Sequence, residues 1–200
     1  MKIYDCEQRS DLWRALRLGK ITGSNADRLL TDPKRKTYAQ ELLVELLTES
    51  EEDRFVSDAM QWGIDQEPNA ILWYELETGS SVKPVGFVIS GDNDNFGASP
   101  DGLVGEDGLI EVKCPGSRAH LDHLEHGPGS KYLQQMQWQM YVTDRQWCDF
   151  VSYSPRFDED LQGCIFRIQR DPPQIGKLIA GADKVLSHME RFKRKVIKSF

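Results

Sequence analysis

Two hundred residues, 39% hydrophobic, 10% aromatic and 28% charged, suffice for one substantial core and exclude a disordered or fibrous chain. The net charge of −7 would repel a polyanion in bulk, so any nucleic-acid contact must come from local basic patches. No apolar run is long enough to span a bilayer, and Met1 to Glu7 lacks the apolar stretch of a secretory signal, which predicts a cytoplasmic protein with no membrane partner.

Repeats and linkers are absent from the pattern, so residues 1–200 are expected to form a single domain. Ser10 can cap a short helix, Asp11 to Leu18, that stops at Gly19; Thr22 to Leu30 reads as a second. Tyr38, Leu42, Leu46 and Leu47 give a helical stripe in residues 37 to 50. Ser57 to Thr78 is helical, with an interruption expected around Pro68. Five strands follow: Val85 to Ile89, Phe96 to Val104, Leu109 to Cys114, Trp147 to Tyr153 and Cys164 to Gln169. A helix of about Lys131 to Tyr141 crosses between the third and fourth, and apolar residues from Ile175 to Val196 recur at helical spacing. This order predicts an α/β fold, a mixed β-sheet flanked by helices on both faces.

The sharpest chemistry lies in Ser99-Pro100-Asp101-Gly102 and Leu109-Ile110-Glu111-Val112-Lys113-Cys114-Pro115. Glu111 and Lys113 stand two apart and share one strand face, while Ile110, Val112 and Cys114 take the other. Asp101 joins Glu111 only if the hairpin loop Gly105-Glu106-Asp107-Gly108 contains an odd connection or a bulge. Two adjacent carboxylates repel unless a divalent cation lies between them, and Mg²⁺ takes such oxygen ligands with waters completing its shell. A solvated strand face beside an Asp-Gly turn is the competing reading.

Met60, Ile64, Glu67, Ile71 and Tyr74 fall on one helical face, which turns Glu67 toward the sheet; if Pro68 restarts the helix, Glu67 simply favours its first turn. In Tyr132 to Tyr141 four glutamines, Gln134, Gln135, Gln137 and Gln139, interleave with apolar residues, and one of them is expected to point inward; the competing reading is a polar surface face. Arg17 and Ser24 flank the joint between the first two helices and could form a terminal-phosphate pocket, or be a surface ion pair and a plain cap. His120, His123 and His126 lie in a Gly- and Pro-containing segment and are read as structural or solvated. The basic run Arg191, Lys193, Arg194, Lys195 and Lys198 is read as a solvated helix end. Cys6, Cys114, Cys148 and Cys164 are far apart, without zinc-ligand spacing, and are expected to be free thiols.

Together, Leu16 to Ser24, Trp62-Gly63 through Glu67, Ser99 to Leu103, Glu111 to Pro115 and Gln135 to Thr143 resemble the phage lambda-type exonucleases. This viral recombinase and alkaline exonuclease family belongs to the Pro-Asp…Glu-x-Lys nuclease superfamily, and the likeness covers about residues 8 to 170. The resemblance implies a restriction-endonuclease-like core and a Mg²⁺-dependent, ATP-independent exonuclease, with Mn²⁺ as a substitute and two ions per site. Such an enzyme degrades one strand of linear duplex DNA from 5′-phosphorylated ends, releases 5′-mononucleotides and leaves 3′ overhangs. By the same resemblance, Asp101, Glu111 and the Val112 carbonyl would hold metal, Lys113 would serve the attacking water, and Glu67 and Gln135 would assist. Arg17 and Ser24 would bind the 5′-phosphate, and Arg118 would lie near the scissile phosphate. A homotrimeric ring, a single-strand annealing partner and a phage or prophage origin are further implications. A non-catalytic DNA-end-binding module and an endonuclease or resolvase on the same core are the alternatives.

Overall fold

The computed structural model describes residues 1–50 and 57–197. An N-terminal strand, β1 (Lys2–Tyr4), leads to α1 (Asp11–Arg17), where the Ser10 hydroxyl accepts from the Trp13 N–H as an N-cap. Gly19 then turns the chain at a φ of 65°. After β2 (Ile21–Thr22), the second predicted helix is a 3₁₀ segment, Gly23–Leu29, which buries Ala26 and Leu29. Helix α2 (Asp32–Thr48) starts five residues ahead of the apolar stripe because Pro33 sits in its first turn, where a missing N–H costs nothing.

Helix α3 (Asp58–Thr78) runs unbroken through Pro68, contrary to the expected interruption. Pro68 is exposed, so its lost hydrogen bond falls on the solvent side while Ala70 and Tyr74 keep the helix packed on the sheet.

The predicted single sheet is two. A four-stranded sheet has the order β1-β4-β5-β2, with β4 (Phe87–Ile89) and β5 (Phe96–Ala98) antiparallel at its centre. A five-stranded sheet joins β3 (Val82–Lys83), β6 (Gly102–Val104), β7 (Gly108–Lys113), β8 (Trp147–Tyr153) and β9 (Gly163–Gln169) in that order. The run expected as one strand, Phe96 to Val104, is cut by Ser99-Pro100-Asp101, and its halves enter different sheets. Proline has no N–H for the ladder, so the chain leaves the first sheet there.

Strands β7 and β8 pair in parallel, which requires a crossover. That crossover is α4 (Ser117–His126) followed by α5 (Ser130–Thr143). The sequence reading missed α4: Gly116 and Gly127 resemble loop punctuation, yet they are its N- and C-caps. Along β7 and β8, Ile110, Val112, Val151 and Tyr153 pack toward α3, while Leu109, Cys148 and Phe150 face the larger core with Met136 and Trp138 of α5. A last helix, α6 (Pro172–Ile197), closes the larger core with Leu178, Ala182 and Val185. No described helix is long and apolar enough to cross a membrane.

Candidate active site

Gly102 pairs with Ile110 and Val104 with Gly108, so three residues connect β6 and β7, with Gly105 at a φ of 55°. This odd connection is the geometry that sequence parity demanded. It carries Asp101 opposite Glu111, where the Asp101 N–H donates to the Ile110 carbonyl and Asp101 Oδ2 accepts from the Val112 N–H at 2.6 Å. Glu111 is 1% exposed and Lys113, with a side chain 26% exposed, pairs with its Oε1.

A carboxylate this deeply buried needs donors, and α5 supplies them. Gln135 Nε2 donates to Glu111 Oε1 at 2.5 Å and Gln139 Nε2 to Oε2 at 2.7 Å. Where the pattern predicts one inward glutamine among four, the structure turns two toward Glu111: Gln135 and, four residues further along the same face, Gln139. Gln139 Oε1 is buried with no hydrogen-bond partner among the described residues.

Burial pushes the Asp101 carboxyl well above the usual carboxylate range, Glu111 and Glu67 push it the same way, and Lys113 and the Val112 N–H oppose them. Burial works against the charged form of Lys113, but Glu111 and Asp101 outweigh it and hold its pKa above the ordinary lysine value. Lys113 is therefore an ammonium at neutral pH. Burial also pushes the Cys114 thiol up to about 12, which leaves it unreactive.

Glu67 belongs to the same field of charge. Arg9, one of three non-glycine residues with positive φ among those described, bonds Glu67 Oε2 through its guanidinium at 3.0 Å. Sequence reasoning passed over Arg9 because only its left-handed backbone, at a φ of 71°, aims it toward the site.

Arg17 and Ser24, chosen as a phosphate pair, line one small cavity of about 160 Å³. Its other walls are Gln8, Arg9, Trp13, Gly23, Ser99, Gln135 and Gln139. Trp13 Nε1 donates to Ser99 Oγ at 2.8 Å, and the Arg17 guanidinium lies 4.0 Å over the Trp13 ring. Gln8 fastens the wall by donating to the carbonyls of Val85 and Pro100. The same link between sheets thus puts Ser99 in the cavity and Asp101 beside Glu111, and the two glutamines join the two places.

Arg118 is not in that cavity. It is exposed in the first turn of α4, in a separate shallow concavity with Gly116, Ser117, Ala119, Leu121, Asp122 and Glu125.

His120 and His123 are structural and His126 is solvated, as expected, but all three lie on a helix. His120 and His123 are buried and both bond Ser152 Oγ through Nδ1 at 2.9 Å, while His120 Nε2 lies 2.8 Å from the Leu161 carbonyl. That carbonyl only accepts, so a neutral His120 carries its proton on Nε2 and its Nδ1 accepts from the Ser152 hydroxyl. The Ser152 oxygen then accepts from His123 Nδ1–H. His126 is exposed beside Glu125. Of the basic run on α6, Arg191, Lys193, Arg194 and Lys195 are exposed, and Lys198 lies outside the described residues. Cys114 and Cys148 are buried free thiols, and Cys6 and Cys164 are half-buried ones.

Residues 12–146 match the YqaJ-like viral recombinase domain. Among solved structures, the chain is 41% identical to an alkaline exonuclease, LHK-Exo, from Laribacter hongkongensis, with a TM-score of 0.88, covering 96% of this chain and 100% of that one. A complex of LHK-Exo with dAMP matches at 40% identity and the same TM-score of 0.88, with the same coverage. A phage-related exonuclease from Haemophilus somnus 129PT shares the fold at 15% identity and a TM-score of 0.72, over 88% of this chain and 96% of that one. No curated relative matches the chain. By the domain match and the full-length likeness to LHK-Exo, the chain belongs to the YqaJ-like viral recombinase family.

Proposed function

We propose that this protein is a Mg²⁺-dependent, ATP-independent exonuclease that enters linear duplex DNA at a 5′-phosphorylated end and removes 5′-mononucleotides, leaving 3′ overhangs for annealing-type recombination. A deoxyribonuclease is what the family and the 41%-identical alkaline exonuclease support. The polarity rests on one observation: the cavity holding Arg17, Ser24 and Ser99 ends on Gln135 and Gln139, whose amides bond Glu111. A terminal phosphate held there lies one side chain away from the acidic centre.

Metal fits the donor set. Burial first, and then Glu111 and Glu67, push Asp101 toward its protonated form, and a divalent cation relieves the repulsion among these carboxyls. The described residues hold no cluster of three or more His, Cys, Asp or Glu side chains arranged for a metal. Mg²⁺ does not require one, since one or two carboxylates with waters complete its octahedron. Asp101, Glu111 and the Val112 carbonyl would hold it, with Glu67 and Gln135 assisting; Mn²⁺ would substitute, and two ions per site are proposed. When bound, the metal supplies a water of lowered pKa and Lewis-acid stabilisation of the leaving oxygen.

The chain's own residues do the rest. Lys113 orients the attacking water and offsets charge developing on the phosphoryl oxygens. Gln135 and Gln139 hold the Glu111 carboxylate in place, and Arg17 neutralises the terminal phosphate. Arg118 would contact the backbone beyond the scissile bond. A homotrimeric ring would keep an acidic chain on its DNA, and a phage-type annealing protein would take up the 3′ strand.

The test is digestion of an end-labelled linear duplex carrying 5′-phosphate or 5′-hydroxyl termini, with Mg²⁺ or chelator, beside a closed circle. Metal-dependent mononucleotide release from the 5′-phosphorylated strand is expected. Cutting of the circle would instead indicate an endonuclease, and binding without hydrolysis a DNA-end-binding module.

A further inference from the structure

Tyr132, Gln135 and Gln139 stand three and four residues apart on α5 and so share one face. That face lies along β7: the two amides bond Glu111, and the Tyr132 ring centroid is 5.3 Å from Lys113 Nζ. An ammonium at that distance from a ring is held by the negative face of its π system. Glu111 Oε1 is shared between Lys113 and Gln135, so the carboxylate alone does not fix the direction of a flexible lysine.

The ring is itself immobilised. Its centroid lies 5.7 Å from that of His123 in a T-shaped contact and 5.5 Å from that of Phe150. His123 is tied to the Ser152 hydroxyl, and Ser152 is the register partner of Lys113 across β7 and β8. The ring and the ammonium it faces are therefore referenced to the same pair of strands.

We infer that Tyr132 is a positioning residue of the nuclease reaction: its ring, packed against both His123 and Phe150, seats the Lys113 ammonium so that it points at the reacting phosphate. The inference rests on the nuclease reading above. Tyr132 acts through Lys113 and does not touch substrate.

The experiment places phenylalanine and then mono-, di- and trifluorinated phenylalanine at position 132 of the whole protein, with Tyr132→Leu as the ring-free variant. Fluorination drains the ring face at nearly constant shape. For each protein, kcat and KM on a 5′-phosphorylated duplex are measured beside Tm. Tyr132→Phe is expected to keep close to the full rate, and kcat to fall stepwise along the fluorinated series, by on the order of tenfold overall, at constant KM and Tm. A flat kcat across the series, or a fall that only follows Tm, overturns the inference while an active parent enzyme leaves the nuclease reading standing. A parent protein that hydrolyses no DNA overturns both.

Discussion

Lys113→Met tests the electrostatics of the site without reference to its chemistry. The substitution keeps the length of the side chain and removes the one cation paired with Glu111 among the described residues, leaving the half-buried Asp101 and the buried Glu111 facing each other. Stripping the partner from a sealed ion pair costs about 3–5 kcal/mol, and partial solvation lowers that to about 2–3 kcal/mol here; the relevant exposure is 26% for the Lys113 side chain. For a chain of this length, a loss of that size lowers Tm by about 4–12 °C. Because the folded pKa of Asp101 is raised, its penalty is absent below the unfolded carboxylate range, about pH 4, and grows as pH rises through the folded value. Without Lys113 that folded value rises further. The Tm gap between parent and variant should thus be widest near pH 8 in chelator, narrow toward pH 5, and narrow again at pH 8 when Mg²⁺ is added. Thermal unfolding across this pH range decides it. A gap that does not change with pH, or a variant as stable as the parent at pH 8, would refute the pairing of Lys113 with Glu111 beside Asp101.

Three other outcomes are expected. Arg17→Ala should lower the ratio of digestion rates on 5′-phosphate and 5′-hydroxyl ends by at least tenfold, the loss of a charge-assisted contact; an unchanged ratio removes Arg17 from the pocket. Gln139→Leu strips a donor from Glu111 Oε2 and should cost about 1.5–3 kcal/mol in chemical denaturation, whereas the loss of an exposed surface amide would cost almost nothing. Burial lowers the pKa of His123, so its contribution to stability is present above the unfolded histidine value, about 6.5, and is lost as pH falls through the folded value. A His123→Gln variant should lose that part of the acid-side slope of Tm against pH.

Much of the site was legible because strand alternation is strict. Glu111 and Lys113, two residues apart, had to share a face, and the parity of the β6–β7 hairpin determined whether Asp101 could join them; Gly105 in the loop supplied the odd connection. Strand β8 has the bounds that its β-branched and aromatic run predicts, and α1 begins at the Ser10 cap. Local chemistry of this kind acts over a few residues, so a sequence records it directly.

What sequence did not reveal depends on partners far along the chain. Ser99-Pro100-Asp101 reads as the middle of one strand, Phe96 to Val104, and only the two sheets make it the link that serves the cavity and the acidic centre together. Arg9 gains its role from a left-handed backbone and from Glu67, 58 residues away. Gln139 and Tyr132 look like ordinary positions on an amphipathic helix, and they matter because the parallel crossover lays that face of α5 along β7. The sequence by itself determined which residues carry charge and which strand face they occupy. The tertiary structure decided which donors and rings surround those charges, because hydrogen bonds and cation–π contacts form between elements that only packing brings within a few ångströms.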